Sequence, residues 1–419
     1  MTCRPRPQPC FSARAEQAGF TLVELMVALT GGLFLSIVVF ALSRDATRFY
    51  QSETRAANAT LAGVTGFERL SNDIARAGHL TTPNITADPR VCNRPAAAWP
   101  DMVEFLRAVQ VDTSDLITGT EIETAGLTPM AIVLAGALED AEELSVSHLG
   151  PNANGGFDVT LRVNSPAAAR LGLQPGVAND AANLAIMQRV FIPGGNGRAV
   201  RVTQLDGMEQ YGVVSAVQVN PTLMVTLAAQ PALVFRSNAA GALQCGFRGF
   251  NTGANINVVN FVRYELQPMI ANAAYASLFA ASSSAGLPYE AGRVELTRQE
   301  LTPTGAPMPG TLELVAEYAV DLQFSVLQAT SGLNPALLAP VPSSLDGSYG
   351  FTQLLRSVHL RLSVRSREAD RQADVAGMPA GDLYRIGLGT GGTGNAPYAR
   401  VRTFQADIPL RNLEGANWP

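Results

Sequence analysis

The chain has 419 residues, a formal charge of −5, and 30 basic side chains that are all arginine. Its length allows a sizeable core and two soluble subdomains. With 16% charged residues, 47% hydrophobic residues, 38 glycines and 26 prolines, it fits a loop-rich, β-containing extracytoplasmic protein better than a charged helical cytosolic one. An acidic balance argues against non-specific nucleic-acid binding, which needs a basic footprint.

Residues 1–19 are short, polar and basic, with Arg4, Arg6 and Arg14 set against Glu16, so residues 20–419 alone carry −7. The positive-inside bias predicts that this end stays in the cytosol. From Phe20 to Leu42 the only ionisable side chain is Glu24. That run matches the roughly 20 residues an α-helix needs to cross a bilayer, and a lone acid inside it is expensive enough to be read as functional. A secretory signal peptide has a shorter apolar core followed by a small-residue cleavage site. Here the run is longer and Gly19 precedes it. An ordinary signal anchor with a glutamate near its membrane end is the competing reading.

Gly19-Phe20-Thr21-Leu22-Val23-Glu24 resembles the processing site of type IV prepilins and type II secretion pseudopilins. The resemblance implies that a prepilin peptidase cuts between Gly19 and Phe20 and that the new amino group of Phe20 is methylated. It also implies an inner-membrane subunit with its head in the periplasm, later part of a surface fibre. The implied partners are other minor and major pilins, the inner-membrane assembly platform and membrane lipid, with no nucleic acid. A buried carboxylate needs a cation. Glu24 is therefore expected to pair with the amino terminus of an adjacent subunit; a glutamate snorkelling to the interface is the alternative.

The helix is predicted to continue to about Gly78, roughly 90 Å in all at 1.5 Å per residue, with Gly31-Gly32 as a weak point. Leu61, Val64, Phe67, Leu70 and Ile74 form an apolar stripe at helical spacing. Arg55, Glu68, Arg69, Asp73 and Arg76 are expected on other faces. Gly78 and Thr81-Thr82-Pro83 end the helix. Cys3 and Cys10 fall in the leader. Cys92 and Cys245 remain as an even pair in an exported region, either as a disulfide or as two separate buried thiols.

Residues 80–255 read as an irregular, turn-rich and strand-rich insertion. Residues 189–192 and 199–202 flank Pro193-Gly194-Gly195-Asn196-Gly197 and are predicted to pair as a hairpin, and residues 224–227 are predicted as a strand. Glu139, Asp140, Glu142 and Glu143 form an acidic cluster, read as a solvated face and less readily as a cation site. Beyond residue 255, segments 259–266, 293–298, 318–326 and 358–365 are predicted as strands. Their alternation suits an antiparallel sheet covered on one face.

That strand order, closing on Leu410-Arg411-Asn412-Leu413, is similar to the PilW-type minor pilins. The expected fold is α+β: a long amino-terminal helix packed on an antiparallel β-sheet head, pilin-like, with a large insertion. The expected segments are a leader at 1–19, a membrane or filament-core helix at 20–42 and an amphipathic periplasmic half at 43–79. An inserted head region at 80–255 and a C-terminal β head at 256–419 follow. Gly387-Leu388-Gly389-Thr390-Gly391-Gly392 matches a dinucleotide fingerprint in form only, since glycine and proline follow it where a helix is required. His79, His148 and His359 lack metal spacing, and no catalytic motif occurs, so neither enzyme activity nor cofactor is expected. The functional expectation is a minor pilin of the priming complex or tip. A J-type secretion pseudopilin is the alternative, and a tip-adhesin role for the head is a further one.

Overall fold

A computed structural model of the chain describes residues 21–96, 98–113, 117, 120–139, 142–236, 245–250, 253–270, 272–275, 292–329, 338–341, 352–367, 385–388 and 398–416. The chain divides into two compact units, Met1–Thr54 and Arg55–Pro419. Helix α1 (Leu22–Arg76) belongs to both. An amino-terminal apolar helix followed by a head rich in antiparallel sheet, with few helices, makes the fold α+β.

Within the second unit, Ala59, Gly63, Gly66, Leu70, Asp73 and Ile74 on the face of α1 turned to the head are buried, half-buried Phe67 packs beside them, and Ala77 just past the helix end is buried too. The predicted stripe of large apolar residues is thus corrected in part, because Leu61 is 71% exposed. Small residues take the contact because the head approaches closely. A Cβ on Gly66 would stand 2.7 Å from the Ala316 Cβ, and one on Gly63 would run into the ring of Phe404. Beyond the helix, Gly78 turns the chain at φ +77°, a left-handed conformation that glycine adopts without strain.

The elements that follow are α2 (Asp101–Glu104), β1 (Val109–Asp112), α3 (Glu121–Thr124), β2 (Ala131–Gly136), β3 (Leu144–Pro151) and β4 (Phe157–Leu161). Next come α4 (Pro166–Arg170), α5 (Asp180–Phe191), β5 (Ala199–Thr203), β6 (Glu209–Gln218), β7 (Met224–Leu227) and β8 (Asn255–Gln267). The chain continues through β9 (Glu295–Leu301), β10 (Glu313–Ala316), β11 (Ala319–Ala329) and β12 (Leu338–Val341). It ends with β13 (Leu355–Arg365), β14 (Arg385–Gly387) and β15 (Tyr398–Pro409). The predicted strands near 224–227, 259–266, 293–298, 318–326 and 358–365 fall on β7, β8, β9, β11 and β13. The predicted hairpin does not form. Residues 199–202 lie in β5, but residues 189–191 close helix α5, where Met187, Val190 and Phe191 fall on one buried face.

β8 organises the head. Its residues 255–259 pair with β3 and β5, while residues 260–267 pair with β2 and β9. The first set closes a ring, β8-β3-β4-β7-β6-β5 and back to β8. Val146, Val159, Val200, Val202, Val225, Ile256 and Val258 fill a core there with Met187, Val190 and Phe191 of α5. The second set is an open sheet, β1-β2-β8-β9-β10. A separate sheet, β12-β11-β13-β15-β14, shares one apolar core with it and with Leu70 and Ile74 of α1. The alternation in β13 is clean because Val358, Leu360, Leu362 and Val364 all enter that core.

Asp73 is the exception to an apolar helix face, and the sequence-based placing of it on another face is corrected: it is 2% exposed. Its Oδ2 accepts the Tyr264 hydroxyl at 2.7 Å and the Arg298 Nε–H at 2.9 Å. Arg298 also meets Glu139 at 3.1 Å and Glu313 at 3.3 Å. Glu139 in turn meets Arg198, which pairs with buried Glu300 at 2.6 Å. Burial, with Asp73 alongside, holds the Tyr264 phenol well above its ordinary range. The acidic cluster keeps solvent contact, with Glu139 exposed and Glu142 and Glu143 half-buried, and its carboxylates are also paired. Glu139 serves this network, Glu142 pairs with Arg170, and Glu143 lies 3.8 Å from Arg201; Asp140 lies outside the described residues.

Candidate processing and assembly site

Thr21 is the first described residue and precedes α1 in non-helical backbone. Its hydroxyl accepts the Glu24 backbone N–H at 3.2 Å. In return, Glu24 Oε2 accepts the Thr21 N–H at 3.2 Å and the Thr21 hydroxyl at 3.1 Å. This reciprocal exchange is a capping box, which satisfies donors that the first turn of a helix leaves without partners. A carboxylate at a helix amino end is also favoured by the helix dipole. Thr21 is missing from the sequence-based site because the charge of Glu24 dominates that reading, although Thr-x-x-Glu ahead of an apolar run is the pattern that marks such a box. Gly19 and Phe20 lie outside the described residues.

After Glu24, the helix runs on through Gly31-Gly32 without interruption. Leu22–Thr47 has a mean hydropathy of 2.5 and no buried residue. Leu22, Val23, Leu25, Met26, Val27 and Leu29 are all more than half exposed, an arrangement stable only where lipid or other apolar helices cover it. By length and composition this helix can cross a membrane.

Cys92 and Cys245 stand together, their Cα atoms 5.3 Å apart and their sulfurs bonded. The bond ties the segment after α1 to the segment before β8. Cys92 N–H also donates to the Glu209 carbonyl at the start of β6, at 2.9 Å.

The histidines are dispersed. His148 neighbours the ring of Phe250, His79 follows the helix end, and His359 Nδ1 lies 2.9 Å from Asp407 Oδ1. Ser325, His359 and Asp407 are direct cross-strand neighbours on β11, β13 and β15. They lie on an open, solvent-facing sheet surface, and no hydrogen bond joins Ser325 to the imidazole among the described residues, so the row lacks the contact that activates a nucleophile. Among the described residues, no group of three or more His, Cys, Asp or Glu side chains is placed to hold a metal ion. The glycine-rich segment beyond Leu388 lies outside the described residues.

Residues 14–30 match the family model described as the prokaryotic N-terminal methylation motif. Neither a curated protein nor a solved structure matches the chain. The motif is of the type IV prepilin kind and spans the Gly19–Phe20 bond, Thr21 and Glu24. With the uncovered apolar helix behind it, it supports a structural, pilin-like protein of pilus or pseudopilus assembly, processed by prepilin peptidase and associated with other pilins. Membrane anchoring and a pilus location are consistent with both features.

Proposed function

We propose that this chain is a minor pilin of the PilW type that helps to prime or cap a type IV pilus. The observation that carries the reading is the methylation motif at the start of an apolar, membrane-length helix with no buried residue. In this reading, prepilin peptidase cuts the Gly19–Phe20 bond and the Phe20 amine is methylated. The subunit waits in the inner membrane with its head in the periplasm, then leaves the lipid as its helix packs among neighbouring pilin helices. Glu24 contributes the acid that neutralises a neighbour's amino terminus. The large head, with its closed strand ring, favours an end position over a place in a tightly stacked shaft. A J-type pseudopilin of a secretion machine is the second reading, because the same motif serves both systems.

A deletion strain separates the two. Scarce surface pili in sheared fractions with normal export of a known exoprotein support the minor pilin. Intact pili with exoprotein trapped in the periplasm support the pseudopilin. Processing has its own test. Gly19→Val places a β-branched side chain at the scissile bond and is expected to leave the leader mass on the protein; a normally trimmed Gly19→Val chain refutes the cleavage assignment. Since the sequence has no lysine, the α-amine of an unprocessed chain is its only primary amine; trimming and methylation leave the secondary amine of N-methyl-Phe20, and the mass of the amino-terminal peptide reads that change directly.

A further inference from the structure

The closing Leu410-Arg411-Asn412-Leu413 has no part in the processing site, yet it sits against the last turn of α1. The Asn412 side-chain amide donates to the carbonyls of Ala75 at 3.3 Å and Ala77 at 3.1 Å. The last carbonyls of a helix have no partner within the helix itself, so a side chain more than 330 positions away in sequence supplies the donors. Leu413 is fully buried, with its Cδ1 2.5 Å from where a Cβ on Gly78 would stand. Gly78 is thus both the turn that ends the helix and the seat for Leu413. The segment is itself tied to β13, where Leu410 N–H donates to the Arg356 carbonyl at 2.8 Å and Arg356 Nη1 donates to the Leu413 carbonyl at 3.3 Å.

The rest of the contact between helix and head divides sharply. Ala59, Gly63 and Gly66 give close approach but little side-chain area, and smooth contacts resist sliding and rotation poorly. Directional bonds gather further along: at Asp73 with its two partners, at Arg76, whose Nη2 donates to the Ala137 carbonyl at 2.8 Å, and at the turn, where Gly78 N–H donates to the Ala135 carbonyl at 2.9 Å and Asn412 holds the carbonyls of Ala75 and Ala77. We infer that residues 410–413 are a clasp fixing the register of the head on α1, and that Asn412 is its positioning residue. The clasp is dispensable for membrane insertion and leader removal and is required for entry into a fibre, where the head is carried by the second half of the helix. This function rests on the pilin reading above.

The test uses the full-length chain in its membrane, with Asn412→Asp and Asn412→Ala. Asn412→Asp keeps shape and volume but removes both donors and sets a negative charge against a helix carboxyl end, where it is unfavourable. A carbonyl-holding role therefore expects Asp to be worse than Ala, whereas a packing role expects the isosteric Asp to be nearly silent. Three quantities are read: the mass of the amino-terminal peptide for processing, hydrogen exchange at the Gly78 turn for the clasp, and the amount in sheared fibres for assembly. The expected result for Asn412→Asp is normal processing, at least tenfold faster exchange at the turn and at least a tenfold loss from fibres. Unchanged exchange overturns the clasp. Faster exchange with wild-type incorporation leaves the clasp and overturns its assembly role. Equal loss of processing reduces it to a folding contact. If the wild-type chain itself is missing from every fibre while exchange responds as expected, the pilin reading has failed and the assembly role falls with it, but the clasp has not.

Discussion

The two parts of helix α1 each set one acid among apolar residues and carry a pair of glycines, and they use them in opposite ways. Glu24 stands on a stretch with no protein cover and finds its partner three residues away in Thr21. Asp73 stands on a covered face and finds its partners in Tyr264 and Arg298, 191 and 225 residues further on. Gly31 and Gly32 have nothing within 4 Å of an added Cβ, whereas Gly63 and Gly66 have the head pressed against them. A carboxylate out of water must be compensated in either place. The nearer part does so locally, which keeps it compatible with a later change of neighbours. The farther part does so through long-range contacts that fix it to one head.

The largest expected effect is at Asp73. Removing one member of a buried ion pair strands the other and costs about 3–5 kcal/mol; because Glu139 and Glu313 still face Arg298, Asp73→Leu is expected near ~3 kcal/mol on that scale. Urea unfolding of the detergent-solubilised chain measures it. Replacing both partners, Asp73→Leu with Arg298→Met, should recover much of the loss, since a well-packed apolar pair is often no worse than a buried ion pair. A double variant as unstable as the sum of the singles contradicts this account of the network.

The glycines give the next effect, and its sign matters more than its size. Alanine is favoured over glycine in a helix by about 1 kcal/mol. Gly32→Ala should therefore raise helix stability, while Gly66→Ala should lower the stability of the head by ~1–3 kcal/mol through overpacking against Ala316 and the Val315 carbonyl. Thermal melting of both variants followed by circular dichroism decides it. Two stabilising results mean that the helix does not press on the sheet at Gly66.

These same positions show what the sequence made legible. Strands β7, β8, β9, β11 and β13 could be placed from the period-two alternation of apolar and polar residues, although in β8 and β9 the polar face is buried as well, where Asn260, Arg298 and Glu300 join the ion-pair network. The helix face could not be placed fully: large residues mark a stripe on paper, but close contact selected Ala59, Gly63 and Gly66 and left Leu61 outside. Arg189, Val190, Phe191 and Ile192 look strand-like over four residues, and only the longer amphipathic window from Asp180 reveals the helix. The closed strand ring depends on β8 pairing with β3 and β5, a non-local fact that no local pattern encodes. At the site, Glu24 stands out as a charge in apolar sequence, and that signal hides the Thr-x-x-Glu cap pattern that begins at Thr21. Asn412 was legible only as part of a family-like ending, because its role lies in a helix end more than 330 positions upstream.

The box at Thr21 can be separated from the charge on Glu24. Thr21→Val removes the hydroxyl and keeps the carboxylate, costing a cap worth about 0.5–2 kcal/mol. Thr21→Ser should restore it. Glu24→Gln keeps a side chain that can still accept the Thr21 donors but abolishes the charge. Fibre incorporation is therefore expected to fall severalfold in Thr21→Val and to be lost in Glu24→Gln. Wild-type incorporation of Glu24→Gln would falsify the proposed pairing with a neighbour's amino terminus, whatever Thr21→Val does.

The smallest expected effect is a pH dependence at the end of the covered part of the helix. Burial, then the adjacent Arg76, pushes the His79 imidazole below its ordinary 6.5; Glu143 opposes this and Arg201 adds to it. The folded chain therefore resists a proton that the unfolded chain accepts at about 6.5. A depressed folded value means that the contribution is fully present above pH 6.5 and is lost as the pH falls from there towards the lowered folded value. Between pH 7 and 5.5, before most carboxylates titrate, the head should lose a small part of its stability, and His79→Gln should flatten that slope. Urea midpoints at three pH values across the interval suffice. An identical slope in His79→Gln shows that the imbalance of Arg76, Arg201 and Glu143 around the imidazole has no weight, and leaves the hydrogen bonds of Asp73, Arg76, Gly78 and Asn412 to hold this end of the helix at any pH in that interval.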